Sequence, residues 1–398
     1  MDNSSTSGNP FIKKSFKGPL LLKDLQAFND NGFLIKNDII DNKLLFEFKQ
    51  EFNEYQKDNN HTNNSNNNNN TQYNCHFKSL YEIRQNQNFY ESYIQLLGST
   101  YSDSYTNYSN TLSLINSGKP TTIKNVSFLE YPNFIHNFSP IELFMYLGNS
   151  TIKSNSGENN DKTINLDCNP FNLFKNEKIS KEGLVYSNIE CWKPIRSFIS
   201  LKDNQGIWIL PGFHKKSVQF IQDKYLENRK KLIKNLSLNG SGESNGYNVS
   251  NYYKNDKELL SMLEYIPLNK GDIVYFDWRI PKSYDQSLLE FIDTSFLPNV
   301  LINQQYIQIE KDNYKNGIIT LNNTNNNNNT KNTTNNINNE GFLSKFLSNF
   351  KNNNDSAKDN YQNLENNKIK EFNNENFVSP KLSILGEKLL NFKKWETN

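Results

Sequence analysis

Apolar residues recur at two different spacings along this chain, and the change from one to the other divides it. In LLKDLQAFNDNGFLIKNDIIDNKLLFEFKQEFNEY, Leu21 to Tyr55, the spacing predicts a short helix, then a strand at Gly32 to Lys36. A second helix follows with Leu44, Leu45, Phe48 and Phe52 on one side and Asp41 as its N-cap. From Phe77 to Leu97 the positions Leu80, Ile83, Phe89, Tyr93 and Leu97 predict one helix, with Gly98 as its stop. After that the texture changes to short segments rich in Ile, Val, Tyr and Phe, bounded by Gly, Pro, Asn or Asp. Strands are expected at Gly183 to Ile189, Ile195 to Leu201, Gly206 to Leu210, Gly271 to Asp277 and Leu301 to Ile309. Helices first and many short strands afterwards predict a mainly β jelly-roll core with flanking helices.

Polar tracts interrupt this pattern at 57–74, 152–162, 236–256, 322–340 and 352–377, each rich in Asn, Ser or Gly. They read as loop inserts, which a fold tolerates because loop-closure cost grows slowly with length. The expected organisation is a flexible tail at 1–20, one domain at 21–321 carrying the first three inserts, an Asn-rich insert at 322–377, and a segment at 378–398 that packs back on the domain. The low hydrophobic fraction, 35%, comes from these tracts, while 13% aromatic residues supply a packed interior.

With 44 basic and 42 acidic residues interspersed, nothing argues for nucleic acid as a partner. Cys75, Cys168 and Cys191 show neither a disulfide framework nor zinc-ligand spacing and read as buried free thiols. No apolar run has the length of a transmembrane helix, and MDNSSTSGNPFIKK lacks the apolar region of a signal peptide. The expected location is the cytoplasm, with nothing pointing to the peroxisome.

Three blocks, in order, carry a resemblance: TINLDCNP at 163–170, IRSFISLKDNQGIWILPGFHK at 195–215 and KGDIVYFDWRIP at 270–281. Together they resemble the phytanoyl-CoA dioxygenase family of iron and 2-oxoglutarate oxygenases. GFLIKNDIID, LYEIRQNQNFY and LSILGEKLLNFKKW are similar to segments of one subgroup, so the resemblance spans most of the chain outside the inserts. It implies a double-stranded β-helix, a cupin-like jelly roll. It also implies a ferrous ion held by an H-x-D pair and a second imidazole, with an Arg gripping 2-oxoglutarate.

Carried over residue by residue, that set is incomplete. Asn165, Leu166 and Asp167 stand where H-x-D is expected, leaving only the carboxylate. Lys282, in RIPKSYD, stands where the second imidazole is expected. Ile302 or a neighbour in LINQQYIQI stands in place of the Arg. The resemblance therefore implies a catalytically inactive relative that retains its barrel to bind a small molecule or a protein, without cofactor. Its alternative is an active dioxygenase that hydroxylates a small or lipid-derived substrate, using iron(II) and 2-oxoglutarate at a non-standard metal site. A structural role in an assembly is a third reading. One expected arrangement pairs Asp167 with Lys282 as a replacement counter-charge for the ion.

Other candidates carry two readings each. Arg279 either contacts a substrate anion or anchors the corner before Lys282. Arg196 and Trp208 either line the barrel mouth or cap its outside, while Trp192 and Trp278 read as packing. Of the four histidines, His61 lies in an insert, His76 and His136 lack ligand-like spacing, and His214 ends Pro-Gly-Phe-His in a structural role. Finally, GFLSKFLSNFK at 341–351 predicts a short amphipathic helix that docks on its own barrel, or else contacts a partner or a lipid surface.

Overall fold

The computed structural model describes residues 18–60, 72–73, 76–102, 121–122, 137–146, 150–151, 164–166, 193–217, 247–248, 261–284, 290–300, 303–316, 318–320, 368–370 and 379–395. Its helices are α1 (Leu22–Asn31), α2 (Asn42–Asn60), α3 (Lys78–Arg84), α4 (Gln87–Tyr101), α5 (Gln304–Asn316) and α6 (Ile384–Leu389). The strands that build the two main sheets are β1 (Phe33–Lys36), β2 (Leu143–Tyr146), β3 (Asn165–Leu166), β4 (Ile195–Ser200), β5 (Gln205–Ile209), β6 (Glu264–Leu268), β7 (Ile273–Asp277), β8 (Lys282–Tyr284) and β9 (Phe291–Pro298).

The chain is mixed α and β with antiparallel sheets. One sheet has the order β1-β7-β4-β9-β2; the other runs β3-β8-β5-β6, with the strand Tyr247–Asn248 added beside β3. Counted from β2, the strands of the first sheet are the sixth, third, eighth and first, and those of the second are the second, seventh, fourth and fifth. The chain therefore passes repeatedly between the sheets.

Strand alternation decides what each sheet covers. Phe198, Val274, Phe276 and Phe291 of the first sheet share one apolar cluster with Ile207, Ile209 and Leu268 of the second, so these faces enclose the space between the sheets. The opposite face of the first sheet, with Ile195, Ile199, Tyr275 and Phe296, packs on the helices. There Tyr93 of α4 stands edge-on to Phe296 at 4.9 Å, and the Ser92 hydroxyl lies 2.6 Å from that of Tyr275. Burial pushes the Tyr275 phenol well above its ordinary range, with Ser92 opposing.

Several expectations are corrected. The helix expected across Phe77 to Leu97 is two helices, because Asn86 starts a new one by accepting the Phe89 N–H at 3.1 Å. Gly98 lies inside α4 rather than stopping it, and the extra turn carries Tyr101 to the buried Asp277. The strand expected at Leu301 to Ile309 is α5. Buried Asn303, Ile307, Glu310 and Tyr314 recur at helical spacing there, and the Ile307–Ile309 alternation only mimics a strand over a short window.

The Asn-rich tracts also contain paired backbone. α2 runs into the first one, and Tyr247–Asn248 and Lys368–Lys370 form short ladders with β3 and with Ile318–Thr320. The segments 183–189 and 341–351, and His61, His136, Trp192 and all three cysteines, lie outside the described residues.

α5 is clamped from two sides. Tyr314 meets Tyr81 of α3 at 5.2 Å and donates its hydroxyl to the Pro380 carbonyl, while Lys311 donates to the Asn391 carbonyl at 2.7 Å. Beyond α6, Trp395 stacks on Tyr90 of α4 with ring centroids 5.7 Å apart. Among the described residues, no helix is long and apolar enough to cross a membrane.

Candidate functional site

Two expected ligand positions come together in the second sheet. Lys282 on β8 stands directly opposite Asn165 on β3 and Ile209 on β5. Neighbouring positions on paired strands lie about 5 Å apart, close enough for their side chains to share one ion if both face the same way. The Lys282 side chain is 1% exposed, and its ammonium sits 4.0 Å from the centroid of Phe276, which belongs to the cluster between the sheets. The attraction of a cation for a ring face is consistent with a charged group at this place. An ammonium has no lone pair to offer a metal, and its charge repels one. Asp167 and Ile302 lie outside the described residues; Asn165 is described in its backbone alone.

The co-substrate Arg was expected on a strand at 301–309. The strand that follows β8 is instead β9, and it carries no Arg or Lys. Its inward positions include Phe291 and Asp293; Asp293 forms an ion pair with Arg196 of β4. Arg196 pairs in register with Phe276 and so faces the space between the sheets, which resolves its two readings in favour of the interior. Trp208 lies against Tyr265 with centroids 5.1 Å apart, and Trp278 is buried as packing. The inner face thus grades from apolar, at Phe198, Val274 and Phe291, to polar at Arg196 and Asp293. Asp293 Oδ1 and Ser295 Oγ are buried without a hydrogen bond among the described residues.

The corner between β7 and β8 is a separate polar assembly. Arg279 donates from Nε to Asp277 Oδ1 at 2.8 Å and from Nη2 to Oδ2 at 2.7 Å, while its main-chain N–H reaches Oδ1 at 3.0 Å. Tyr101 donates its one hydroxyl proton to Asp277 Oδ2 at 2.7 Å, with the Pro194 carbonyl 3.1 Å from the same oxygen. Burial pushes the Asp277 carboxyl up, but the Arg279 charge and hydrogen bonds, helped by His214 and Tyr101, hold it below the usual carboxylate range. Among the described residues, this carboxylate holds Arg279 in the corner.

His214 packs on the same assembly. Its Nε2 donates to the Asn29 carbonyl at 3.1 Å, Nδ1 is buried against Gly32, and burial lowers its pKa. His76 is held by the Tyr81 hydroxyl, 2.8 Å from Nδ1, and stacks on that ring. Both described histidines therefore have structural partners, and among the described residues no three His, Cys, Asp or Glu side chains form a metal-binding group.

A third cluster, marked by no periodic signal along the chain, gathers where α3 and α5 meet the first sheet. Arg84 ends α3 and Glu310 lies midway along α5, both buried. Lys193 places its ammonium 4.0 Å from the centroid of Tyr146, which in turn lies 6.0 Å from Tyr306 of α5. Burial raises the Glu310 carboxyl to about 7, against the opposing pull of Arg84 and Lys193. Burial likewise lowers the Arg84 pKa, opposed chiefly by Tyr81, Glu310 and Asp293.

No protein-family model matches the chain, and no curated protein does. Solved structures similar to it include GlcNAc Inducible Gene 2, GIG2 (DUF1479), from Candida albicans, at 14% identity and a TM-score of 0.46, covering 73% of this chain and 67% of that one. Another is the hypothetical protein JW0805 from Escherichia coli, at 11% identity and 0.46, covering 75% and 74%. A third is EctD from S. alaskensis in its apoform, at 12% identity and 0.35, covering 73% and 81%. The fold described above rests on strand order and register, independently of these likenesses.

Proposed function

We propose that this chain is a double-stranded β-helix protein, related to the iron and 2-oxoglutarate oxygenases of the phytanoyl-CoA dioxygenase type, that keeps its barrel as a binding module and does not use iron. Within the two five-stranded sheets, eight strands in the order 6-3-8-1 over 2-7-4-5 support the architecture, since closing the chain this way makes a jelly roll. The observation that carries the functional reading is Lys282. A buried ammonium occupies the position where the resemblance asks for an imidazole, beside Asn165 where it asks for the other. The residues do not fit a ferrous ion, so no step of oxygen chemistry is assigned to them.

The ligand class on this reading is a small molecule or a protein segment, met in the cytoplasm, and Asp167 serves as counter-charge to Lys282. The test is an anaerobic titration of purified protein with ferrous iron, with and without 2-oxoglutarate, followed by calorimetry. The expected result is no saturable uptake. Stoichiometric uptake at micromolar iron, lost in Asp167→Asn, would instead establish the alternative, an active oxygenase built on the retained carboxylate.

A further inference from the structure

The turn that follows β5 grips the last turn of α1. Gly212 donates its N–H to the Asn31 carbonyl at 2.7 Å, His214 donates from Nε2 to the Asn29 carbonyl at 3.1 Å, and the Lys215 ammonium reaches Asp30 at 2.9 Å. From the other side, the Asp277 N–H reaches the Gly32 carbonyl at 2.8 Å. Asn29, Asn31 and Gly32 supply carbonyls that a helix end leaves without intrahelical partners, so the barrel itself caps α1. The grip depends on the state of one ring. Because a carbonyl only accepts, Nε2 carries the proton of the neutral imidazole and Nδ1 its lone pair. His214 is 6% exposed, and Nδ1 has no hydrogen-bond partner among the described residues. It is pressed against the Gly32 backbone and the Ile280 side chain, since Nδ1 and Ile280 Cδ1 both lie 2.5 Å from where a Gly32 Cβ would stand. A proton on Nδ1 would make a buried donor with no acceptor in place, which is costly.

We propose that this turn is an acid-released clasp: it holds the end of α1 to the barrel while His214 is neutral and lets go when Nδ1 takes up a proton. Charged groups face the ring from each element around it. Asp277 at the end of β7 and the Asn29 carbonyl of α1 favour the proton, while Arg279 in the corner and Lys215 in the turn oppose it. Of the neighbours further out, Asp30 of α1 is engaged by Lys215 and the Tyr101 phenol of α4 by Asp277. Burial is the largest effect and works against the proton, so the His214 pKa falls below its ordinary 6.5. Above 6.5 the held and released forms are both neutral and the clasp is tightest. As pH falls below 6.5 the released ring is protonated first, so release gains ground until the held ring is protonated too.

The amides of Gly212 and Asp277 donate to the end of α1, and their hydrogen exchange reads the clasp once corrected for the intrinsic pH dependence of exchange. Their opening equilibrium should rise by up to about tenfold per unit as pH falls below 6.5, then level off. Low urea should leave it unchanged, because opening a clasp exposes little surface. Exchange of Tyr275, at the middle of β7 and paired on both sides, should accelerate in the same urea. In His214→Gln the acid rise should vanish. Proton NMR of the imidazole in the unaltered protein should place the His214 midpoint below 6.5, where the rise levels off. A His214→Gln profile superimposed on that of the unaltered protein overturns the proposal. So do Gly212 and Asp277 amides that follow Tyr275 in urea, since the clasp would then open only with the whole molecule. A His214 midpoint at or above 6.5 overturns it as well, and that measurement serves if the Gln variant fails to fold.

Discussion

Gly32 shows how one residue fixes the joint between the N-terminal helix and the barrel. It ends α1 in the left-handed region at φ 77°, and its carbonyl accepts the Asp277 N–H at 2.8 Å. A Cβ at this position would stand 2.5 Å from both His214 Nδ1 and Ile280 Cδ1. Gly32→Ala therefore meets backbone strain and overpacking together, and should cost roughly 2–4 kcal/mol in urea unfolding. The neighbouring Asp277→Asn keeps the shape but puts a neutral amide where the buried Arg279 guanidinium had a carboxylate. Removing one partner of such a pair costs about 3–5 kcal/mol, and the denaturation midpoint should fall accordingly. Iron titration should be indifferent to both changes, because neither residue belongs to the Lys282 position.

At the scale of elements, the C-terminal segment holds the helix layer through a few large contacts. Trp395 covers Tyr90 while Lys388 lies 5.4 Å from the indole. Truncating it to Ala should cost about 3–5 kcal/mol, as for other buried large-to-small changes. Protection in α4 and α5 should fall first, with the sheets less affected, as mapped by hydrogen exchange. What the sequence made legible follows the same division. Strands β1, β4, β5 and β7 and helices α1 and α2 were readable because each carries a clear period and a capping or turn residue. β9 was not, since FIDTSFLP buries residues on both faces and shows no alternation, and α5 was misread because two isoleucines mimic a strand. Lys282 was found by its place in RIPKSYD, and the register beside Asn165 supplied its neighbour. The cluster of Arg84, Lys193 and Glu310 was invisible because its members come from segments more than 100 residues apart, with no local pattern to join them.

For the whole molecule, two buried groups pull the pH dependence of stability in opposite directions. Burial lowers the His214 pKa below its ordinary 6.5, so the folded state resists protonation there, with the Arg279 and Lys215 charges adding to the effect and Asp277 and Asn29 opposing it. The unfolded chain then binds the extra proton first, and stability is lost as pH falls below about 6.5. Glu310 does the reverse, giving most stability below 4.5 and losing it as pH rises to 7. Where the two windows overlap below about pH 6.5, the slopes oppose and the unaltered protein should show a shallow profile, each group contributing at most about 1.4 kcal/mol per pH unit. Single substitutions separate them. His214→Gln keeps a donor within reach of the Asn29 carbonyl and removes the titration, leaving melting temperatures that decline as pH rises. Glu310→Gln leaves the opposite slope, with melting temperatures that climb over the same range. Because α5 and the β7–β8 corner both rest on the first sheet, the two effects should appear in one cooperative transition. If both variants kept the slope of the unaltered protein, neither buried group would be governing its acid–base behaviour.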